Sequence, residues 1–164
     1  MDVIVDGYNL IGIDHGLRGA LEHKRNWLIQ QLSMYQKVKG FGVVVVFDGW
    51  RTGWVNETEE KRDGVTIVYS RQGEKADSVI VRIARTKGSG CVVITSDREI
   101  QKALERFGVV AISSGEFARI LRTLERPFEN VYEPLDASAD KKGNPNRLSK
   151  SEKRRQNKLK KLRP

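Results

Sequence analysis

Four aspartates sit at positions where a chain can do phosphate or metal chemistry. They are Asp6 in VDGYN, Asp48 in VVVVFDG, Asp77 in GEKADSVI and Asp97 in ITSD. Taken singly, each has an ordinary explanation. Asp-Gly is a common turn pair, and a carboxylate in the first turn of a helix is favoured by the helix dipole. The conjunction is harder to explain that way. If the four gather within about 5 Å, each pair repels by roughly 3 kcal/mol at an effective dielectric near 20. A cation would relieve that cost. An all-oxygen donor set suits Mg²⁺ or Mn²⁺. The two histidines, His15 and His23, have no zinc-type spacing to Cys91. Carboxylate-held Mg²⁺ or Mn²⁺ points to phosphodiester hydrolysis, in which one ion lowers the pKa of water and a second stabilises the leaving oxygen. GxSxG, GxxxxGK[ST] and GxGxxG are all absent, which argues against serine hydrolases, P-loop enzymes and dinucleotide binders.

Four such acids act together only if secondary structure brings them to one place. Apolar, β-branched runs occur at Val3–Val5, Val43–Phe47, Val65–Tyr69, Val92–Thr95 and Val109–Ile112. Several are continuously apolar, as strands buried on both faces of a parallel sheet are. Helical periodicity lies between them, over 18–39, 76–87, 97–107 and 116–125. Ser96–Glu99 and Ser113–Glu116 both read S-x-x-E and predict capping boxes. Gly40, Gly88 and Gly108 are expected helix C-caps. Alternation of this kind predicts a three-layer α/β/α sandwich with a mostly parallel central sheet. In such sheets ligands bind beyond the carboxyl ends of the strands. Asp6, Asp48 and Asp97 follow strands, and Asp77 opens a helix, so all four are expected at that edge. Residues 49–64 are polar, carry Trp50 and Trp54 beside Arg51, and read as a long loop or flap.

Charge divides the chain. Residues 1–140 hold 19 Lys/Arg and 20 Asp/Glu, a net −1, whereas residues 141–164 hold 11 Lys/Arg and one acid, a net +10. The basic end suggests a polyanionic partner, most often nucleic acid. A domain over 1–133 is expected to be followed by a linker and basic tail over 134–164. The tail can form a helix from Ser149, but Leu148, Leu159 and Leu162 look too sparse to anchor it, so it reads as disordered until it meets a partner. The single cysteine implies no disulfide framework. No apolar run reaches the length of a membrane span, and the N-terminus lacks a signal-peptide pattern. A soluble cytoplasmic chain is expected.

VDGYNLIG, VVVFDG, GEKADSVI and ITSDREIQ, in that order over about residues 1–125, resemble the NYN domain of YacP-like proteins, a family of the PIN-like nuclease superfamily. The resemblance implies a PIN-like fold and a metal-dependent endoribonuclease, some members of the family acting on ribosome-associated RNA. It implies that Asp6, Asp77 and Asp97 hold Mg²⁺ or Mn²⁺, with Asp48 at the family's second-strand FD position. Asn9 matches the asparagine of DGYN and is either a catalytic group toward a metal water or the scissile phosphate, or a helix or turn cap. Glu74 and Glu99 are possible supporting acids. The basic tail lies outside the motifs that carry the resemblance. Lys153, Arg154 and Arg155 are expected to track an RNA backbone. Arg51 with Trp50 and Trp54 either meets unpaired bases or packs the flap on the sheet. A non-catalytic RNA- or ribosome-binding module is the alternative. An aspartyl-nucleophile phosphatase is disfavoured, because Asp6 is followed by Gly7-Tyr8 and not by a D-x-D pair.

Overall fold

The computed structural model describes residues 1–49, 55–125 and 148–164. The elements run β1 (Asp2–Asp6), α1 (Gly7–Asp14), α2 (Leu21–Lys39), β2 (Gly42–Phe47), β3 (Thr58–Arg62), β4 (Val65–Tyr69), α3 (Ala76–Lys87), β5 (Cys91–Ile94), α4 (Arg98–Glu105), β6 (Val110–Ile112), α5 (Ser114–Glu125) and α6 (Lys150–Leu162). Six strands form one sheet in the order β3-β4-β2-β1-β5-β6. All neighbours are parallel except β3 and β4.

The continuous apolar runs are explained by two-sided burial. Val3 and Val5 face one layer with Leu28, Leu32, Tyr35, Phe117 and Leu121 of α2 and α5. Ile4 faces the other with Val79 and Ile80 of α3 and Ile100 and Leu104 of α4. This is the expected three-layer sandwich. The chain builds the β1-β2-β4 side first and then returns across β1 to add β5 and β6. The direction of winding therefore switches between β1 and β5, where open parallel sheets bind ligands. Asp6 ends one of these strands and Asp97 follows the other.

Four local expectations are corrected. The segment 49–64 contains strand β3, TEEKR, which pairs antiparallel with β4 at the sheet edge. An edge strand carrying charge shows no apolar alternation and resists pairing with another chain. DGYN is not a turn, because α1 starts at Gly7. A Cβ on Gly7 would lie 2.3 Å from the Phe47 ring, so glycine is required there by close packing. The helix read over 97–107 ends at Glu105, and its cap is Asp97 and not Ser96. The second capping box is as expected: Ser113 Oγ accepts from Glu116 N, and Glu116 Oε2 accepts from Ser113 N.

The fourth correction concerns the basic end. α6 packs against β6, and Leu162, fully buried, and Leu159, partly buried, pack against the α2–α5 layer. The Tyr35 hydroxyl donates to the Leu162 carbonyl at 3.1 Å, and Lys39 Nζ to the Arg163 carbonyl at 2.5 Å. Arg155 pairs with Glu116 of α5. Two leucines suffice because backbone and charged contacts from α2 and α5 complete the anchor. The expected boundary at 133/134 lies outside the described residues.

Candidate active site

Three helices aim their N-termini at the carboxyl edge of the sheet, and an aspartate holds each. Asp6 caps α1: its Oδ1 accepts from Asn9 N at 3.3 Å. Asp97 caps α4: its Oδ1 accepts from Glu99 N at 2.7 Å and from Ile100 N at 3.5 Å. Asp48 acts on α3 from a distance of 28 residues, its Oδ1 accepting from Ala76 N at 2.8 Å. Helix N-termini favour negative charge. They offset part of the repulsion that four neighbouring carboxylates would otherwise suffer.

The remainder of that repulsion is visible in the acids themselves. Asp6 is 8% exposed, and its carboxyl is pushed up to about 6. Burial is the largest cause, opposed by the Asn9 and Thr95 hydrogen bonds and reinforced by the charges of Asp77 and Asp48. Asp77, in the first turn of α3, is also raised, by burial first and then by Asp97 and Asp48, with Lys75 pulling it down. Its own backbone N–H, in the first turn of α3, also holds it down through a hydrogen bond, and no side chain among the described residues donates a hydrogen bond to it. It is the one acid of the four that takes no hydrogen bond from another residue among those described.

Asn9 serves the scaffold with one end of its amide. Its Oδ1 accepts from Ser96 N at 3.0 Å and from Ser114 Oγ at 2.6 Å. A backbone N–H can only donate, so the accepting atom must be oxygen. The Asn9 NH₂ therefore faces away from those partners, and it has no hydrogen-bond partner among the described residues. The cap and site readings of Asn9 thus fall on its two ends.

Sequence reasoning missed the hydroxyls that knit this edge together. Thr95 Oγ1 donates to Asp6 Oδ2 at 3.1 Å and accepts from Asp97 N at 3.1 Å. It ties the caps of α1 and α4 to each other. Ser70 is fully buried. It accepts from Gly49 N at 3.0 Å and donates to the Glu74 carbonyl at 2.7 Å, fixing the turn that carries Asp48 against the turn before α3. Hydroxyl residues immediately after apolar strands were the available signal, in VYS and ITS. Glu74 is engaged by Arg71 at 3.3 Å.

The other expected site residues fall elsewhere. Arg51, Trp50 and Trp54 lie outside the described residues. Lys153 and Arg154 are exposed on α6. Arg155 is committed to Glu116, so its guanidinium holds α6 in place.

Among the described residues no three His, Cys, Asp or Glu side chains form a ready-made cage for an ion. The donors are nonetheless of the right kind for Mg²⁺ or Mn²⁺. Mg²⁺ normally keeps several waters and binds through one or two carboxylates, and a cation here would relieve the upward shifts of Asp6 and Asp77.

A family model for the YacP-like NYN domain matches residues 3–163. The chain belongs to the YacP-like NYN domain family. That span takes in α6 as well as the sandwich. Its relatives include the uncharacterized protein YacP of Bacillus subtilis (strain 168), 32% identical over 137 residues, which cover 79% of this chain and 80% of that protein. The fold is similar to the crystal structure of Rae1 (YacP) from Bacillus subtilis, with a TM-score of 0.66 and 30% identity over 77% of this chain and 76% of that one. A tryptophan-to-leucine mutant of Rae1 gives a TM-score of 0.64 and 29% identity over 77% of each chain. The family is PIN-like and nuclease-like, as the four motifs implied. No helix among the described residues is long and apolar enough to cross a membrane.

Proposed function

We propose that this protein is a Mg²⁺- or Mn²⁺-dependent endoribonuclease that hydrolyses RNA phosphodiester bonds in the cytoplasm, with ribosome-associated RNA the first substrate to test. The observation that carries the reading is the position of Asp77. Its carboxylate takes no hydrogen bond from any other described residue, yet burial and then the charges of Asp97 and Asp48 raise its pKa. A carboxylate kept in that position with no other residue holding it is accounted for by a ligand. Asp6, Asp77 and Asp97 would hold the ion, with Asp48 assisting. When bound, the ion supplies Lewis acidity toward the phosphate and water.

The chain's own residues do the rest. Asp6 is fixed through both oxygens, by Asn9 N and by Thr95 Oγ1, so its orientation does not depend on the ion. The Asn9 NH₂ is the donor available to a phosphate oxygen, held in place by Ser96 and Ser114. The helix N-termini of α1, α3 and α4 add positive potential toward an incoming phosphate. The basic α6 supplies charge for the RNA backbone. The test is cleavage of structured and of ribosome-bound RNA by wild type, Asp6→Asn and Asp77→Asn, with Mg²⁺, Mn²⁺ or EDTA. Cleavage that is lost in EDTA and in both variants is expected. Cleavage that survives EDTA would falsify the metal reading.

A second reading is favoured by one observation. Three of the four acids cap helices, and the described residues form no ready-made ion cage. This is also what a non-catalytic RNA- or ribosome-binding module would retain. Such a module binds RNA, cuts none with any metal, and loses no function in Asp77→Asn.

A further inference from the structure

The end of the sheet opposite the acids carries a cleft of about 320 Å³. It lies between α6 and the starts of β5 and β6, lined by Ser89, Cys91, Gly108 and Val110 on one side and Arg154, Asn157, Lys158 and Lys161 on the other. The four α6 residues are spaced i, i+3, i+4, i+7 and so form one helix face. Lys153 and Lys160 point about a quarter-turn away from it. No acid among the described residues pairs with Arg154, Lys158 or Lys161. The nearby Asp2, at the start of β1, is already held by Lys87 at 2.5 Å. Lys158 donates to the Ser89 carbonyl at 2.9 Å, which pins it over the cleft floor. Its ammonium is pushed down by burial and by the charge of Lys161. Cations crowded together with no counter-charge are relieved by an anion.

We infer that this cleft is a second RNA contact, a site for backbone phosphate built by α6 against the start of the sheet and remote from the acidic edge. The occupant follows from the donors. Two ammonium groups, one guanidinium and an amide line a space the size of a few heavy groups, with no paired acid among the described residues. β5 separates the two ends by about 13 Å at roughly 3.3 Å per strand residue. One RNA strand running along this side of the domain therefore reaches both ends. The inference rests on the reading of the chain as an RNA-acting protein. It explains the docking of α6, because a helix anchored by Leu162, Tyr35 and Arg155 presents a fixed set of cations where a loose tail would present a diffuse one.

The experiment measures binding of a fluorescent single-stranded RNA to the full chain by anisotropy, in EDTA, over a series of salt concentrations. Two variant pairs alter the cleft: Lys158→Gln with Lys161→Gln, and Asn157→Glu with Lys161→Gln. The second pair leaves the Lys158–Ser89 bond intact, so it separates loss of charge from loss of folding. The control pair, Lys37→Gln with Lys61→Gln, removes the same charge from exposed positions on α2 and β3. Both cleft pairs are expected to weaken binding by about five- to tenfold at low salt, and the double lysine variant to reduce the salt slope by about 1.4, two phosphate contacts at about 0.7 each. The control pair is expected to keep the wild-type slope. Equal losses in cleft and control pairs overturn the cleft and leave a diffuse effect of surface charge. Displacement of RNA by poly-glutamate at equal charge concentration overturns a phosphate site in favour of an acidic protein partner. If wild type binds no RNA, the functional reading itself fails. If wild type binds and the cleft pairs bind equally well, only the cleft fails.

Discussion

Thr95 Oγ1 donates to Asp6 Oδ2 at 3.1 Å and itself accepts from the backbone N–H of Asp97 at 3.1 Å. One hydroxyl thus couples the carboxylate at the end of β1 to the turn that follows β5. A donor aimed at a carboxylate favours its charged form, and this bond holds down a group that burial pushes up to about 6. Thr95→Val should raise the Asp6 pKa further. An Asp6 that must be ionised to work then loses activity at a higher pH. The acidic limb of the cleavage pH profile is expected to move up by about one unit. A limb that stays where it is in wild type would detach Thr95 from the chemistry.

Asp6 also makes stability depend on pH. Its folded pKa of about 6 lies above the ordinary aspartate value of 3.8, so folding favours the neutral acid. The stabilisation associated with the protonated form is complete below about pH 4 and is lost as pH rises through about 6. Asp6→Asn, which cannot ionise, is therefore expected to match wild type at pH 4 and to exceed it at pH 8 by up to about 3 kcal/mol, two pK units at about 1.4 each. Urea unfolding at the two pH values in metal-free buffer measures this. A gap that fails to widen with pH would mean that the carboxylate is better solvated than its 8% exposure implies.

Asp77 should behave differently. Because no other described residue donates a hydrogen bond to its carboxylate, and asparagine can still accept from its own backbone N–H, replacement by asparagine is expected to change stability by no more than about 0.5 kcal/mol in the absence of metal. With Mn²⁺ the two proteins should separate. A ligand at 100 times its Kd adds about 2.7 kcal/mol to the folded state, so wild type should melt higher on titration with Mn²⁺ while Asp77→Asn stays flat. Equal shifts in both proteins would place the ion elsewhere.

What the sequence disclosed and what it hid follow from one distinction. The parallel strands were legible because two-sided burial demands unbroken apolar runs such as VVVV and CVVI. Asp6, Asp48 and Asp97 were legible because each closely follows such a run, and Asp77 because it opens a helix. β3 was not, because an edge strand with its side chains mostly in solvent needs no apolar pattern. α1 was hidden by Gly7, which reads as a turn residue until Phe47 is seen against it. The anchoring of α6 was hidden because its partners, Tyr35, Lys39 and Glu116, are dozens of residues away or more. The split duty of Asn9 depends on Ser96 and Ser114, which only the fold brings to it.

The two Asp-Gly pairs carry a prediction of their own. A Cβ on Gly49 would lie 1.6 Å from the Ser70 carbonyl oxygen, a backbone atom that cannot swing aside. Gly49→Ala is expected to cost about 1–3 kcal/mol through overpacking. It should also disturb the Asp48–Ala76 bond and with it the start of α3. Loss of cleavage should therefore accompany the loss of stability. Activity retained at a temperature where the variant is fully folded would uncouple the Gly49–Ser70 contact from the placement of Asp77.

Docking of α6 makes the basic end part of the folded unit. Leu162 is fully buried in the same cluster as Leu28, Tyr35 and Phe117. Leu162→Ala is expected to cost about 2–5 kcal/mol and to lower the melting temperature by roughly 6–15 °C. Tyr35→Phe removes one buried hydrogen bond to the Leu162 carbonyl and should cost about 1 kcal/mol. Deleting 149–164 should therefore destabilise the sandwich as well as weaken RNA binding, whereas a loosely tethered tail would affect binding alone. Thermal melts of the truncated chain beside Leu162→Ala decide between the two. An unchanged melting temperature on truncation would release α6 from the fold and return it to the status of a free basic arm.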